Sequence, residues 1–467
     1  MAVLWPRWHA FDLAPAGFSM FLYNRLLGWL RPLAGLLHRR TLSIAAFFRR
    51  GMVGQPTTTI LPASILDTDL YKLTMQQAVM HHFPDAQATY RFAHRDTDVF
   101  FTRESIEELK IAVSQFSAMA LTDTEFQWLK QMCPYLKPQY LAYLSTYRFK
   151  PEQVHINFIP VSEDGEFGHV DIEAVGPWVE TIMWEVPLMA CLSEIYFRFV
   201  VKDWTYEGQA ETAYSKGRAL LDAGCVFSEF GTRRRRSYHT QDVVVQSLIR
   251  ASNDVPGTGR VAGTSNVHLA QKHGITPVGT IAHEWFMAVG AMKGYENANS
   301  IALDLWEEVY PNALLVALTD TFSTTAFFKA FAADPARAKR WIGLRQDSGD
   351  PYVFAPNAKE VYENMGIDPR DKVIIYSDAL NLDKALGLKK QCDEIGFKAT
   401  FGIGTFLTND FYTQPSGRKE KSKALNMVIK IASVNATPCV KISDDLMKNT
   451  GDPATVRKVK ELFDLPI

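Results

Sequence analysis

Between residues 225 and 402 short apolar runs alternate with stretches of helical periodicity, and this rhythm constrains the fold more than any other feature. The runs are Cys225–Phe230, Arg260–Ala262, Pro277–Thr280, Leu314–Thr319, Trp341–Leu344, Val373–Ser377 and Lys398–Gly402. Strands separated by helices pair in parallel, because the helix carries the chain back to the starting edge of the sheet. The spacing predicts an α/β fold, a closed or nearly closed β/α barrel, with an open doubly wound sheet as the alternative. Each run is followed by polar or Gly-rich residues: Glu229-Phe-Gly-Thr232, Gly263-Thr-Ser265, Thr280-Ile-Ala-His283, Thr319-Asp320, Arg345-Gln-Asp-Ser-Gly-Asp350, Ser377-Asp378 and Gly402-Ile-Gly-Thr405. Any one of these reads as a helix cap or turn. Recurring in phase at one end of every strand, they predict a site on the face where barrels hold their chemistry.

A chain of 467 residues exceeds one hydrophobic core, so further domains are expected around the barrel of residues 205–423. Residues 60–204 read as an α+β domain. Asp67 and Asp69 precede a helical stripe of Leu70, Leu73, Met75, Val79, Met80 and Phe83. Helices are predicted over Ile106–Met119 and Phe126–Met132, the second opened by a Thr122-x-x-Glu125 capping box, then strands Val154–Pro160 and His169–Val175 around a Glu163-Asp164-Gly165 turn. Residues 424–467 hold two apolar runs outside the alternation, Leu425–Ile431 and Cys439–Ile442, and are expected to return to the first domain.

Residues 1–59 carry seven Arg and no Lys against the single acid Asp12. Arg25, Arg31, Arg39 and Arg40 break the apolar runs before a spanning helix can accumulate. The stretch is expected to be an extension outside the fold, with organelle targeting or a surface-lying helix as the alternative. The whole chain has a net charge of -1, which gives no general reason to bind nucleic acid or a membrane. Cys133, Cys191, Cys225, Cys392 and Cys439 form no Cys-x-x-Cys pair, as expected of a reduced intracellular protein without a structural zinc.

Several strand-end residues are candidates for chemistry. Gly402-Ile-Gly404-Thr405 can turn backbone N–H groups and a hydroxyl toward a phosphate. The run Arg233–Arg236 cannot face one way, so one or two of its guanidinium groups are expected at the barrel mouth as phosphate clamps. His283-Glu284 resembles the start of a zinc-protease motif, but the second histidine is replaced by Met287. His283 is left as a nucleophile or general base, with an orienting carboxylate from another strand such as Glu229 or Asp320. Arg345 suits a substrate carboxylate, while Asp347 and Asp350 suit ribose hydroxyls or Mg²⁺, the alternative being an Arg–Asp surface bridge. Ser377 and Asp378 join the substrate-binding set. Gly257-Thr-Gly-Arg-Val-Ala262 loosely fits a dinucleotide fingerprint but precedes its strand, and is discounted.

Taken in order from about Ile60 to Ala454, these segments resemble the signature set of the nicotinate phosphoribosyltransferase family, with the strongest likeness to fungal members. They are Asp67-Thr-Asp-Leu-Tyr-Lys-Leu-Thr-Met75, Glu229-Phe-Gly-Thr-Arg-Arg-Arg235, Gly263-Thr-Ser-Asn266, Gly279-Thr-Ile-Ala-His-Glu-Trp285, Leu318-Thr-Asp-Thr-Phe322, Arg345-Gln-Asp-Ser-Gly-Asp350 and Ala399-Thr-Phe-Gly-Ile-Gly-Thr405. The resemblance implies the type II phosphoribosyltransferase fold, an α/β domain packed on an irregular β/α barrel, with a homodimer sharing its active site, and ATP-assisted transfer from phosphoribosyl pyrophosphate to nicotinate with Mg²⁺, in salvage toward NAD. It implies that His283 is phosphorylated by ATP, that Arg345 and Thr280 contact nicotinate, and that Tyr71 stacks on the ring from the partner subunit. Asp347, Gly402, Gly404 and Thr405 would form the ribose and phosphate shell around Mg²⁺. A cytoplasmic location, extending to the nucleus, is expected. Nicotinamide phosphoribosyltransferase and an inactive, precursor-binding relative are the alternatives.

Overall fold

The computed structural model describes residues 59–254, 258–417, 419–445 and 449–466; the reading of the Arg-rich extension lies outside the described residues. The chain first builds helix α1, Leu70–His82, whose Leu70, Leu73, Met75 and Val79 are buried. The acids before it do more than favour a helix start. Asp67 receives both outer nitrogens of Arg235, at 2.7 and 2.8 Å, and Asp69 accepts the Ser265 hydroxyl at 2.7 Å, so both tie α1 to the barrel. The capping box at Thr122 is formed with both reciprocal bonds and opens a helix over Asp123–Met132.

Strands β1 (Gln87–His94), β2 (Val154–Pro160) and β3 (Phe167–Pro177) are antiparallel, in the order β1-β3-β2. Sequence reading found the β2–β3 hairpin and missed β1. Helix α2, Glu185–Ile195, leads toward the barrel.

The barrel strands are β4 (Val226–Glu229), β5 (Arg260–Thr264), β6 (Val316–Leu318), β7 (Gly343–Gln346), β8 (Val373–Tyr376) and β9 (Lys398–Ile403). All pair in parallel, in the order β5-β4-β9-β8-β7-β6. The predicted strand Pro277–Thr280 is reduced to one bridge, Thr264 to Pro277, so the barrel is interrupted between β5 and β6. Pro277 has no N–H to extend the ladder, and the chain then turns onto α1, where Thr74 donates to the Thr280 carbonyl at 2.6 Å. Gly279 permits this approach, because a Cβ there would stand 3.1 Å from the Tyr71 nitrogen. Helix α3, His283–Lys293, follows directly, with Trp285 stacked on Trp178 beside the antiparallel sheet. Helix α4, Pro351–Asn364, follows β7.

Strand β10, Met427–Val434, pairs antiparallel with β1 from Ala88 with Val434 to His94 with Met427. This pairing brings the end of the chain over the barrel mouth. The five cysteines are buried with free thiols. Among the described residues no helix is long and apolar enough to cross a membrane.

Candidate active site

A cavity of about 350 Å³ lies between the carboxyl ends of the barrel strands and β10. His283 is the first residue of α3 and therefore stands at the mouth. Its Nδ1 is 2.9 Å from the Thr321 hydroxyl, while Nε2 lies 3.0 Å from Asp347 Oδ2 and 2.9 Å from Lys441 Nζ. Burial and the Lys441 ammonium hold the imidazole below its usual value, against the pull of Asp320 and Asp347, which favours the neutral ring.

Arg345, on β7, donates from Nε to the Ser377 hydroxyl at 2.8 Å and from Nη2 to Asp347 Oδ1 at 3.1 Å. Ser377 in turn donates to the same Asp347 oxygen at 2.5 Å. Burial opposes ionisation of Asp347, but Arg345 and His283 outweigh it and hold the carboxyl well below the carboxylate range. The orienting carboxylate for His283 is thus Asp347, with Asp320 Oδ1 farther off at 3.8 Å.

The arginine run divides in two. Arg233 and Arg234 line the cavity, Arg233 donating to Glu185 at 3.2 Å. Arg235 is buried against Asp67, and Arg236 donates twice to Ser422 with its guanidinium 3.6 Å from the centre of the Phe197 ring. The tight turn over Thr232–Arg234 gives way to extended backbone at Arg235, which sends the two pairs apart.

Tyr71, Arg233, His283, Arg345, Asp347, Ser377, Asp378, Gly402, Gly404 and Thr405 all line the cavity. Gly402 has a packing reason as well, since a Cβ there would stand 2.3 Å from the Phe230 ring. Tyr71 reaches the cavity from α1 of the same chain.

Three expected site residues are placed elsewhere. Glu229 is fully buried off the cavity, accepting from Gln241 at 2.9 Å, Thr264 at 2.6 Å and the Gly231 N–H. Burial pushes its carboxyl up to about 6, and these donors leave it a structural acceptor. Thr280 is absent from the cavity lining, and its backbone carbonyl accepts the Thr74 hydroxyl at 2.6 Å. Asp350 is exposed at the N-cap of α4, where it accepts the Tyr352 N–H at 2.9 Å.

Conversely, Arg95, Glu185, Lys430 and Lys441 line the cavity and were not foreseen. Lys441 also donates to Asp320 at 2.9 Å. Burial, with Lys441, Arg95 and Arg233 nearby, pushes the Lys430 amine down to about 7. The only hint in the sequence is a lone lysine set among apolar residues, as in Val428-Ile-Lys430-Ile and Cys439-Val-Lys441-Ile442.

The profile of the nicotinate phosphoribosyltransferase N-terminal domain matches residues 66–193, and that of the nicotinate phosphoribosyltransferase family matches residues 225–467. A probable nicotinate phosphoribosyltransferase of Schizosaccharomyces pombe is 46% identical over 407 residues, covering 86% of this chain and 98% of the relative. The nicotinate phosphoribosyltransferase of Saccharomyces cerevisiae is 43% identical, covering 85% and 94%. The crystal structure of a putative nicotinate phosphoribosyltransferase from Saccharomyces cerevisiae superposes with a TM-score of 0.84 at 41% identity, covering 87% of this chain and 99% of that one. With both domains matched and the strand-end residues gathered at one mouth, the chain belongs to the nicotinate phosphoribosyltransferase family.

Proposed function

We propose that the cavity joins nicotinate to the ribose of phosphoribosyl pyrophosphate. The pyridine nitrogen bonds to C1 of the sugar, the C1–O bond to pyrophosphate breaks, and its electron pair leaves with the pyrophosphate to give nicotinate mononucleotide. C1 becomes oxocarbenium-like, so the protein has to place two anionic substrates more than supply a strong base. Arg345 carries the reading. Its guanidinium is fixed by Ser377, by Asp347 and, at 3.4 Å, by the Ile281 carbonyl, and a fixed fork matches a planar carboxylate. This favours nicotinate over its amide. Tyr71 supplies a ring face, while Arg95, Arg233, Lys430 and Lys441 supply cations for phosphate oxygens.

A neutral His283 suits attack on the γ-phosphorus of ATP, with ADP leaving; hydrolysis of the phosphohistidine then returns imidazole and phosphate. Asp347 and Asp350 do not fit as a Mg²⁺ pair. The first has its oxygens engaged by Arg345, Ser377 and His283, and the second caps a helix outside the cavity. Mg²⁺ would then enter on the pyrophosphate of the substrate. Homodimerisation, a role in NAD salvage and a cytoplasmic and nuclear location are part of this reading on family resemblance alone.

The test incubates the pure protein with phosphoribosyl pyrophosphate, Mg²⁺ and either nicotinate or nicotinamide, with and without ATP, and identifies the nucleotide. Nicotinate mononucleotide is expected, with stimulation by ATP and acid-labile label from γ-labelled ATP. His283→Ala should lose both the label and the stimulation while keeping slow transfer. Nicotinamide mononucleotide as the main product would overturn the role given to Arg345, and label retained by the variant would place the phosphoryl group elsewhere.

A further inference from the structure

Within the cavity wall lies an ionic bridge, anchored on a buried lysine, that the transfer chemistry does not use. Lys72, fully buried on the first turn of α1, has its Nζ 2.5 Å from Glu185 and 2.5 Å from Glu284. The other Glu284 oxygen accepts Trp178 Nε1 at 2.9 Å and the Tyr90 hydroxyl, so this carboxylate is fixed by α1, by β1 and by the turn after β3. The other Glu185 oxygen accepts Arg233 at 3.2 Å. Lys72 and Arg233 balance the two carboxylates. Burial opposes charge on Lys72, but the paired carboxylates outweigh it and hold the amine above its usual value.

Each end of the bridge adjoins a group to which the transfer reading gives a role: Lys72 follows Tyr71, and Glu284, itself part of the cavity lining, follows His283. A buried ion pair seldom stabilises a fold more than well-packed apolar residues of the same size, so stability alone gives no reason for this quartet. Its geometric effect is specific, since it ties the start of the His283 helix to the start of the Tyr71 helix. We propose that Lys72 is a positioning residue that, by bridging Glu284 and Glu185, fixes the His283 end of the cavity relative to the Tyr71 and Arg233 end. This inference rests on the transferase reading of the cavity.

The test separates charge balance from bridging. Lys72→Met leaves two buried carboxylates without their common cation and should lower Tm sharply. The double variant Lys72→Met/Glu284→Gln restores the balance: Glu185 keeps Arg233, and the glutamine oxygen can still accept from Trp178 and Tyr90. Its Tm should largely recover, yet kcat with nicotinate and phosphoribosyl pyrophosphate, per folded protein by circular dichroism, should stay on the order of 10- to 100-fold low. Both KM values should move less than about threefold, since the groups assigned to substrate, among them Tyr71, Arg233 and Arg345, are unchanged. A double variant with recovered Tm and kcat within twofold of wild type would overturn the inference. Should the double variant not fold, Glu284→Gln alone carries the same readout, and full kcat there overturns it too. A wild-type protein that makes no nucleotide from nicotinate would instead overturn the transferase reading.

Discussion

The cavity has a wall of parallel strand ends and a wall built on an antiparallel sheet, and the two hold their charges differently. On the barrel wall Arg345 is 3.1 Å from Asp347, the His283 imidazole 3.0 Å from the same group, and Arg233 3.2 Å from Glu185. Such groups are compensated before substrate arrives, and their value lies in orientation. On the sheet wall Lys430 donates to the neutral Thr450 hydroxyl at 2.9 Å, and burial, helped by Lys441, Arg95 and Arg233, depresses its amine. Lys441 is paired with Asp320 at 2.9 Å, and it is at Lys430 that positive potential is left for an incoming anion. On the proposed reading, the barrel wall aims the reacting groups and the sheet wall attracts phosphate. Substitutions on the two walls should therefore fail in different ways.

The largest effect should come from Arg345→Lys. An ammonium keeps the charge but cannot keep the fork that Ser377 and Asp347 fix. Nicotinate KM should rise by about 10- to 100-fold, equivalent to ~1.5–3 kcal/mol for a charge-assisted pair, with the KM for phosphoribosyl pyrophosphate changed less than about threefold. Steady-state kinetics with each substrate varied in turn checks this. An unchanged nicotinate KM would move the carboxylate to another cation and break the division between the walls.

A smaller effect, with its own pH signature, is expected at Lys430. Its folded-state pKa of about 7 lies below the ordinary 10.5, so between those values the unfolded chain binds more protons than the folded one. The ligand-free protein should therefore gain stability as pH rises through that window, and carry the full cost of the buried ammonium below pH 7. Binding an anion reverses the preference and draws a proton onto Lys430. Affinity for phosphoribosyl pyrophosphate should fall by up to about tenfold per pH unit above pH 7, and Lys430→Met should remove that slope. Calorimetry in buffers of different ionisation enthalpy reads the proton uptake directly. A wild-type enthalpy independent of buffer would show that the sheet wall is already compensated, as the barrel wall is.

The walls also differ in how much of each could be read from the sequence. Strand ends of a parallel barrel are local features, because an apolar run followed by polar turn chemistry places its next residues at the mouth whatever lies elsewhere. His283, Arg345, Asp347, Ser377 and Gly402 could be found that way. The same logic misplaced Glu229, since a strand-end carboxylate reads alike whether it opens to a cavity or is closed over by Gln241 and Thr264. It also drew a seventh full strand at Pro277, where Gly279 and Thr280 leave the sheet to meet α1. The sheet wall depends on pairing between ends of the chain: Arg91 opposes Lys430 only because β1 and β10 find each other. With β1 unrecognised, no local pattern could place Lys430 or Lys441 over the barrel.

The smallest effect should come from Asp350, and it tests where the barrel wall ends. Asp350 and Asp347 lie in one strand-end motif, yet only Asp347 lines the cavity. As the N-cap of α4, Asp350 accepts the Tyr352 N–H at 2.9 Å, satisfying a donor that helix geometry leaves unpaired. Asp350→Ala should lower stability by ~1 kcal/mol, and Asp350→Asn by much less, because Asn caps about as well as Asp without the charge. Neither should change kcat or the Mg²⁺ concentration for half-maximal rate by more than about twofold, the range expected of a residue that touches no substrate. Thermal melts and Mg²⁺ titrations of the two variants separate the cap from the charge. A Mg²⁺ midpoint displaced in both variants, with Asn still as stable as Asp, would mean that the charge reaches the metal-bound substrate, and the barrel wall would then extend one turn beyond Asp347.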